Sequence, residues 1–153
     1  MQNFKDYVNS LKLNIGDNDI NKLCFVCIGT TDVIWDSLGP IVGTFLEEKI
    51  GKNNVIGNIK NNICNEKDLR KYRLKINNKS IIAIDTAIVG KDLHGEIFIS
   101  KKPITMGLAL NKPKGKIGNI SIKVAIKKDL PKKEIINMAK FVENGIINAI
   151  EKT

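Results

Sequence analysis

The sequence predicts an α/β fold of three layers, α/β/α, around a mixed five-stranded sheet. Two patterns carry that reading. In the first half, apolar runs of strand length such as "KLCFVCI" (22–28) and "KSIIAID" (79–85) alternate with helical patterns, which implies right-handed crossovers and a parallel core. After Asp85 the link to the next strand is too short for a crossover helix, so the fourth strand is expected to run antiparallel.

Each element has its own signal. Phe4, Tyr7, Val8 and Leu11 recur at helical spacing and predict an N-terminal helix that "GDND" ends. The first strand, 22–28, is apolar on both faces, as a strand covered on both sides must be. A helix follows over about 37–50, with Ile41, Val42, Phe45, Leu46 and Lys49 setting its face, Pro40 in its first turn and Gly51 closing it. "NNVIGNI" (53–59) is the second strand, and "CNEKDLRKYRL" (64–74) is a short polar helix. The third strand spans 79–85 and ends on Asp85; "GEIFISK" (95–101) is the fourth. In "GNISIKVAI" (118–126), the fifth, Ile120, Ile122, Val124 and Ile126 share one face. A long amphipathic helix over about 132–151 completes a single domain, 1–153. The stretch "TMGLALNKPKGKIG" (105–118) reads as a long loop, of the kind that often lines a site.

Composition narrows the function classes. The 153 residues are 42% hydrophobic and 27% charged, which is ordinary for a soluble globular chain. No apolar run approaches the roughly 20 residues of a membrane span, and the acid-bearing N-terminus lacks a secretory apolar core. A cytoplasmic protein without membrane association is expected. The net charge is +9, but Arg70 and Arg73 are the only arginines among 25 basic residues, the lysines are dispersed and aromatic residues make up 5%. That composition offers no platform for stacking bases and argues against nucleic-acid binding. Three cysteines argue against a disulfide framework. The "CFVC" pair lies within a strand, so Cys24 and Cys27 point to opposite faces and read as small buried residues.

Two acids stand out. In open α/β sheets the binding crevice lies beyond the carboxyl ends of the strands. Asp36 follows the first strand, in "CIGTTDVIWDSLGP", and Asp85 closes the third. If those strands are neighbours, the two carboxyls can face one pocket, where close like charges push their pKa values apart. They could equally bind a divalent cation, or serve structure alone, Asp36 as a helix N-cap and Asp85 in a turn. Trp35 either covers the site or anchors the loop on the core. His94, the one histidine, reads as an exposed turn residue.

The segments "CIGTTDVIWDSLGPIVGTFLEEKI", "VIGNIK", "IIAIDTAIVGKDLHGEIFI" and "GLALNKPKGKIGNISI" resemble the sporulation protein YyaC family, itself related to the germination (spore) endopeptidase, over about residues 22–150. The resemblance implies a phosphorylase/hydrolase-like fold, shared with the hydrogenase-maturation endopeptidases. It implies that Asp36 and Asp85 are the catalytic acids, that Gly29 and Thr30 shape the pocket floor, and that Asn111 and Lys112 match a substrate-side "NK" loop. It also implies a peptide or protein substrate, such as spore proteins, in a sporulating cell or forespore. The family's residues are replaced at 31–35, and Cys64 stands where a family histidine is expected. In the maturation endopeptidases a histidine joins two acids around nickel; His94 is out of register with that position, so metal dependence stays open, and no other cofactor is expected. Self-association also stays open.

Two functions from different classes follow. One is an endopeptidase that uses an aspartate pair. The other is a binding or regulatory module of sporulation that keeps the peptidase fold without the activity. The intact acids favour the first and the altered 31–35 loop the second.

Overall fold

The computed structural model describes residues 2–106 and 115–151. Its elements in chain order are α1 (Phe4–Ile15), β1 (Leu23–Cys27), α2 (Leu38–Ile50), β2 (Val55–Ile56), α3 (Glu66–Arg70), α4 (Arg73–Ile76), β3 (Ser80–Ile88), β4 (Ile97–Ser100), β5 (Ile104–Thr105), β6 (Lys116–Ile117), β7 (Ile120–Ile126) and α5 (Lys132–Ile150). The central sheet has the order β2-β1-β3-β7-β4. Its β2–β1, β1–β3 and β3–β7 pairs are parallel, and β4 runs antiparallel to β7. The fold is the mixed, five-stranded α/β/α arrangement that the alternating pattern predicts.

Side-chain alternation along each strand sorts the core into two layers. On one face Cys27, Ile82, Ile84, Ile122, Val124 and Ile126 pack against α1, α2 and α5. On the other, Cys24, Val26, Ala83 and Ile28 pack beneath Leu69 and Ile76 of the short helices and Ile104 and Met106 of the β5–β6 hairpin. Cys24 and Cys27 therefore lie in different layers, both fully buried and both free thiols. Burial pushes the Cys24 thiol up to about 11 and Cys27 higher still, so neither is poised as a nucleophile.

Several elements depart from the sequence-based reading. The second strand shrinks from 53–59 to Val55–Ile56, because Gly57 turns with φ 95° and the Asn58 side chain accepts from the Lys60 and Asn61 amides. The polar helix over 64–74 divides at Lys71–Tyr72 into α3 and α4. The third strand does not end on Asp85; pairing with β7 continues through Ile88 opposite Ile126. The 105–118 loop contains part of a two-residue hairpin, and Asn111 and Lys112 lie outside the described residues. Lys49 is exposed rather than on the packed face of α2. His94 is half-buried rather than exposed, with its Nδ1 accepting the Lys127 amide at 3.1 Å.

The packed face of α2 is instead set by glycine. A Cβ on Gly39 would collide with the Ile28 carbonyl, and one on Gly43 with the Gly57 carbonyl. The bare helix backbone thus rests directly on the ends of β1 and β2, with Leu38, Val42 and Leu46 fully buried beside it. Gly43→Ala is expected to destabilise the fold by roughly 1–3 kcal/mol, as overpacking against backbone does. Gly90→Ala, at a position with no neighbour within 4 Å, should stay within about 0.5 kcal/mol of the parent. Denaturant titration of the two variants checks the contrast.

Candidate acid-pair site at the carboxyl ends of β1 and β3

The site begins where β1 stops. Cys27 pairs with Ile84, and the Ile28 amide donates to the Ile84 carbonyl at 2.8 Å, so the chain leaving β1 does so alongside Asp85. At Gly29 it turns with φ 145°, which an L side chain rarely adopts. A Cβ there would strike the Asp36 carbonyl oxygen. That close approach folds the 30–36 loop back on itself and brings Asp36 to the end of β1. The Gly29 amide donates to the Ile63 carbonyl at 2.9 Å, which ties the turn to the neighbouring segment.

Thr30 and Asp36 hold the loop closed. The Thr30 amide donates to the Asp36 carbonyl at 3.0 Å and to Asp36 Oδ2 at 3.2 Å. Thr30 Oγ1 accepts the Asp32 amide at 3.1 Å. Asp36 is not the N-cap of α2: that position is Ser37, whose hydroxyl donates back to the Ile34 carbonyl at 2.6 Å. Trp35 packs against the core rather than over the acids, and the Lys128 ammonium stands 5.3 Å from its ring centroid.

Asp36 and Asp85 are each 5% exposed. Asp85 Oδ1 accepts the Thr86 amide at 2.7 Å. Burial pushes the Asp36 carboxyl up to about 6, against the opposing pull of the Thr30 amide. Burial pushes Asp85 further, to about 8, and the Asp36 charge adds to the rise while the Thr86 amide and Lys123 oppose it. Lys123 lies directly opposite Asp85 on β7. The structure therefore brings the two acids within electrostatic reach of each other, with different proton affinities.

They do not line the same cavity. Asp85, Lys123 and the β3 residues to Ile88, with Ile104 and Thr105 of the hairpin, line one of about 230 Å³. Asp36 sits behind its own loop. Ile34 and Ser37 beside it line a second cavity of about 240 Å³, together with Thr31, Ile41, Ile59 and Lys132.

Three neighbours complete the surroundings: Cys64, at the position the resemblance matches to a family histidine, and Lys123 and Thr86, which escape a sequence-only reading. Cys64 donates its thiol to the Gly29 carbonyl at 3.4 Å. Burial and then the carboxylates of Asp68, Asp36, Asp32 and Asp85 push that thiol up to about 11, so it stays protonated. Lys123 sits in a strand pattern that gives no hint of its partner. Thr86 is buried, and its hydroxyl has no hydrogen-bond partner among the described residues. Among the described residues no group of three His, Cys, Asp or Glu side chains is arranged to hold a metal ion, and no helix is long and apolar enough to cross a membrane.

The chain is a mixed α/β protein with one buried acid just past the end of β1 and another inside β3, the strand next to it. A family model described as "Protein of unknown function (DUF1256)" matches residues 1–145, and the chain belongs to that family. Searches of the curated proteins and of the solved structures returned no match.

The raised carboxyls predict how stability follows pH. A carboxyl that titrates at about 8 when folded and near 4 when unfolded binds more proton in the folded state between those values. Stability should therefore fall as pH rises through that window and level off above it. Asp85→Asn keeps an acceptor for the Thr86 amide and removes the ionisation. It should stabilise the protein by a few kcal/mol, roughly, at pH 9 and by little at pH 4, as read from urea midpoints across pH.

Proposed function

We propose that this protein is a hydrolase that cleaves peptide bonds with Asp36 and Asp85 acting as a pair. The observation that carries the reading is two buried acids of unequal proton affinity within electrostatic reach of each other, one just past β1 and one in β3, neither spent on capping a helix. With Asp36 titrating at about 6 and Asp85 at about 8, the pair near neutral pH holds one proton, on Asp85. The two acids line no common cavity here, so the mechanism requires the 30–36 loop to open; ionised Asp36 then takes the proton of an attacking water, and protonated Asp85 polarises the scissile carbonyl and passes its proton to the leaving nitrogen. Lys123, opposite Asp85 on β7, supplies positive charge beside the tetrahedral intermediate.

The resemblance to the sporulation protein YyaC family supports a polypeptide substrate, with spore proteins the first to test and a forespore or sporulating-cell location to match. The finer family name, the substrate-binding roles of Gly29, Thr30, Asn111 and Lys112, and the absence of a cofactor belong to the same proposal. A non-catalytic binding module is the second reading. It draws on Asp36 Oδ2 being engaged by the Thr30 amide, a bond that would hold the loop in a protein that only binds.

The pair predicts a bell-shaped rate profile. Hydrolysis of a spore-protein mixture should be fastest between about pH 6 and 8, falling below as Asp36 gains its proton and above as Asp85 loses one. Asp36→Asn and Asp85→Asn should each remove nearly all activity, and the double variant should lose little more, since groups that act as a unit are not additive. A fully active Asp36→Asn would discard the mechanism. A wild-type protein that binds a sporulation partner but cleaves nothing would favour the binding module.

A further inference from the structure

The short helices present a surface that neither the core nor the acid pair uses. Leu69 is buried, and Tyr72 and Ile76 pack against the same core layer. That inward set, spaced three and four apart, leaves Arg70, Lys71, Arg73 and Leu74 on the outer side, all of them exposed. Leu74 is 93% exposed, the highest value among the large apolar side chains described. Both arginines of the chain stand beside it, and Lys67, Lys75 and Lys79 flank the same stretch. The acids of the segment are engaged elsewhere. Asp68 Oδ2 accepts the Cys64 amide at 2.9 Å, and Glu66 lies against Gly115, beside β6. Next to Leu74 is a shallow recess of about 700 Å³, lined by Arg73, Leu74, Ile76, Asn77, Asn78 and Ile81. None of these residues is acidic. Ile81 lies at the start of β3, so roughly 13 Å of strand separates the recess from Asp85.

An open apolar recess with a positive rim is matched by a ligand that is apolar at one point and negative around it. The two asparagine carboxamides add donors and acceptors that suit a peptide main chain. A bilayer surface is met by a long amphipathic face, whereas α4 has four residues. A nucleic acid takes phosphate contacts and base stacking, and would leave the apolar lining unused. We propose that the α4 recess is a docking surface for an acidic polypeptide segment that carries a large apolar side chain. The apolar side chain fills the recess against Leu74, Ile76 and Ile81, and its acidic neighbours meet Arg70, Lys71 and Arg73. The surface shares no residue with the acid pair, so the inference holds whether or not the protein cleaves its partners.

The probe is a pool of fluorescently labelled dodecapeptides, with Glu or Asp at alternate positions, one central Leu or Phe, and Ser or Gly elsewhere. Anisotropy with the full chain should show saturable binding that weakens as salt rises. NMR amide shifts should move at Leu74, Asn77 and Asn78. Leu74→Ser should weaken binding about tenfold, the loss of one buried apolar contact. Arg70→Gln with Arg73→Gln should weaken it roughly fivefold at low salt and less at high salt. Lys5→Gln with Lys12→Gln removes the same charge from α1, which packs on the other face of the sheet, and should change binding by less than about twofold. All five positions are exposed, so these variants should fold. Equal loss in the arginine and lysine pairs overturns the docking surface, since net charge alone would then explain binding. Undiminished binding of peptides whose central residue is Ser, shifts confined to other residues, or no saturable binding by the pool overturns it too. Tighter binding to phosphatidylglycerol vesicles or to a single-stranded DNA 20-mer, lost in the arginine pair, transfers the surface to lipid or nucleic acid and ends the polypeptide proposal.

Discussion

The site depends on one close approach, the bare backbone of α2 against the ends of β1 and β2. Gly39 and Gly43 let the helix come down onto the carbonyls of Ile28 and Gly57. With the helix that low, the loop feeding it has no room to bulge outward. It folds over Gly29 instead, and the Asp36 carbonyl meets the Gly29 backbone. A longer side chain at any of these glycines would raise α2 or open the loop, and Asp36 would move away from the β1 terminus. The geometry of the acids is thus set by packing, and their chemistry follows from the burial that this packing imposes.

Burial also sets the relation between the two carboxyls. Each accepts one main-chain N–H within its own segment, Thr30 for Asp36 and Thr86 for Asp85. One such bond offsets only part of the desolvation of an ionised carboxylate. Asp85 lies deeper into the sheet and feels the Asp36 charge, so it holds its proton more tightly. Lys123 partly opposes this from β7. Among the described residues, the arrangement separates two chemically identical groups without a metal-ligand cluster.

Much of this was legible in the sequence, and what was not has physical reasons. Continuous apolar runs marked β1 and β3 as central strands, and the short link after β3 marked β4 as antiparallel. Asp36 and Asp85 could be paired because parallel neighbours present the same end. The end of β3 was misread because a carboxylate after "IIAI" looks like a strand terminus, whereas register against β7 carries the strand on to Ile88. The α2 face was misread because glycine carries no hydropathy signal, so Lys49 seemed to belong to a stripe that Gly39 and Gly43 define. The β5–β6 hairpin has two residues on each side, too few for alternation to be visible. Cys64 was marked in the sequence at the position of a family histidine, whereas Lys123 reaches the acids only through tertiary placement, which no local pattern records.

A stability argument bears on why two acids stand in this place. An ionisable group that titrates at about 8 in the folded state penalises folding at neutral pH, and asparagine would keep the Thr86 bond without that cost. The helix-cap explanation does not apply to Asp36, and the turn that Asp85 would have served is a continuing strand. Two costly carboxyls, one just past the end of β1 and one inside β3, make a local conflict with the rest of a well-packed core. Such conflicts are tolerated where the exposed chemistry is used.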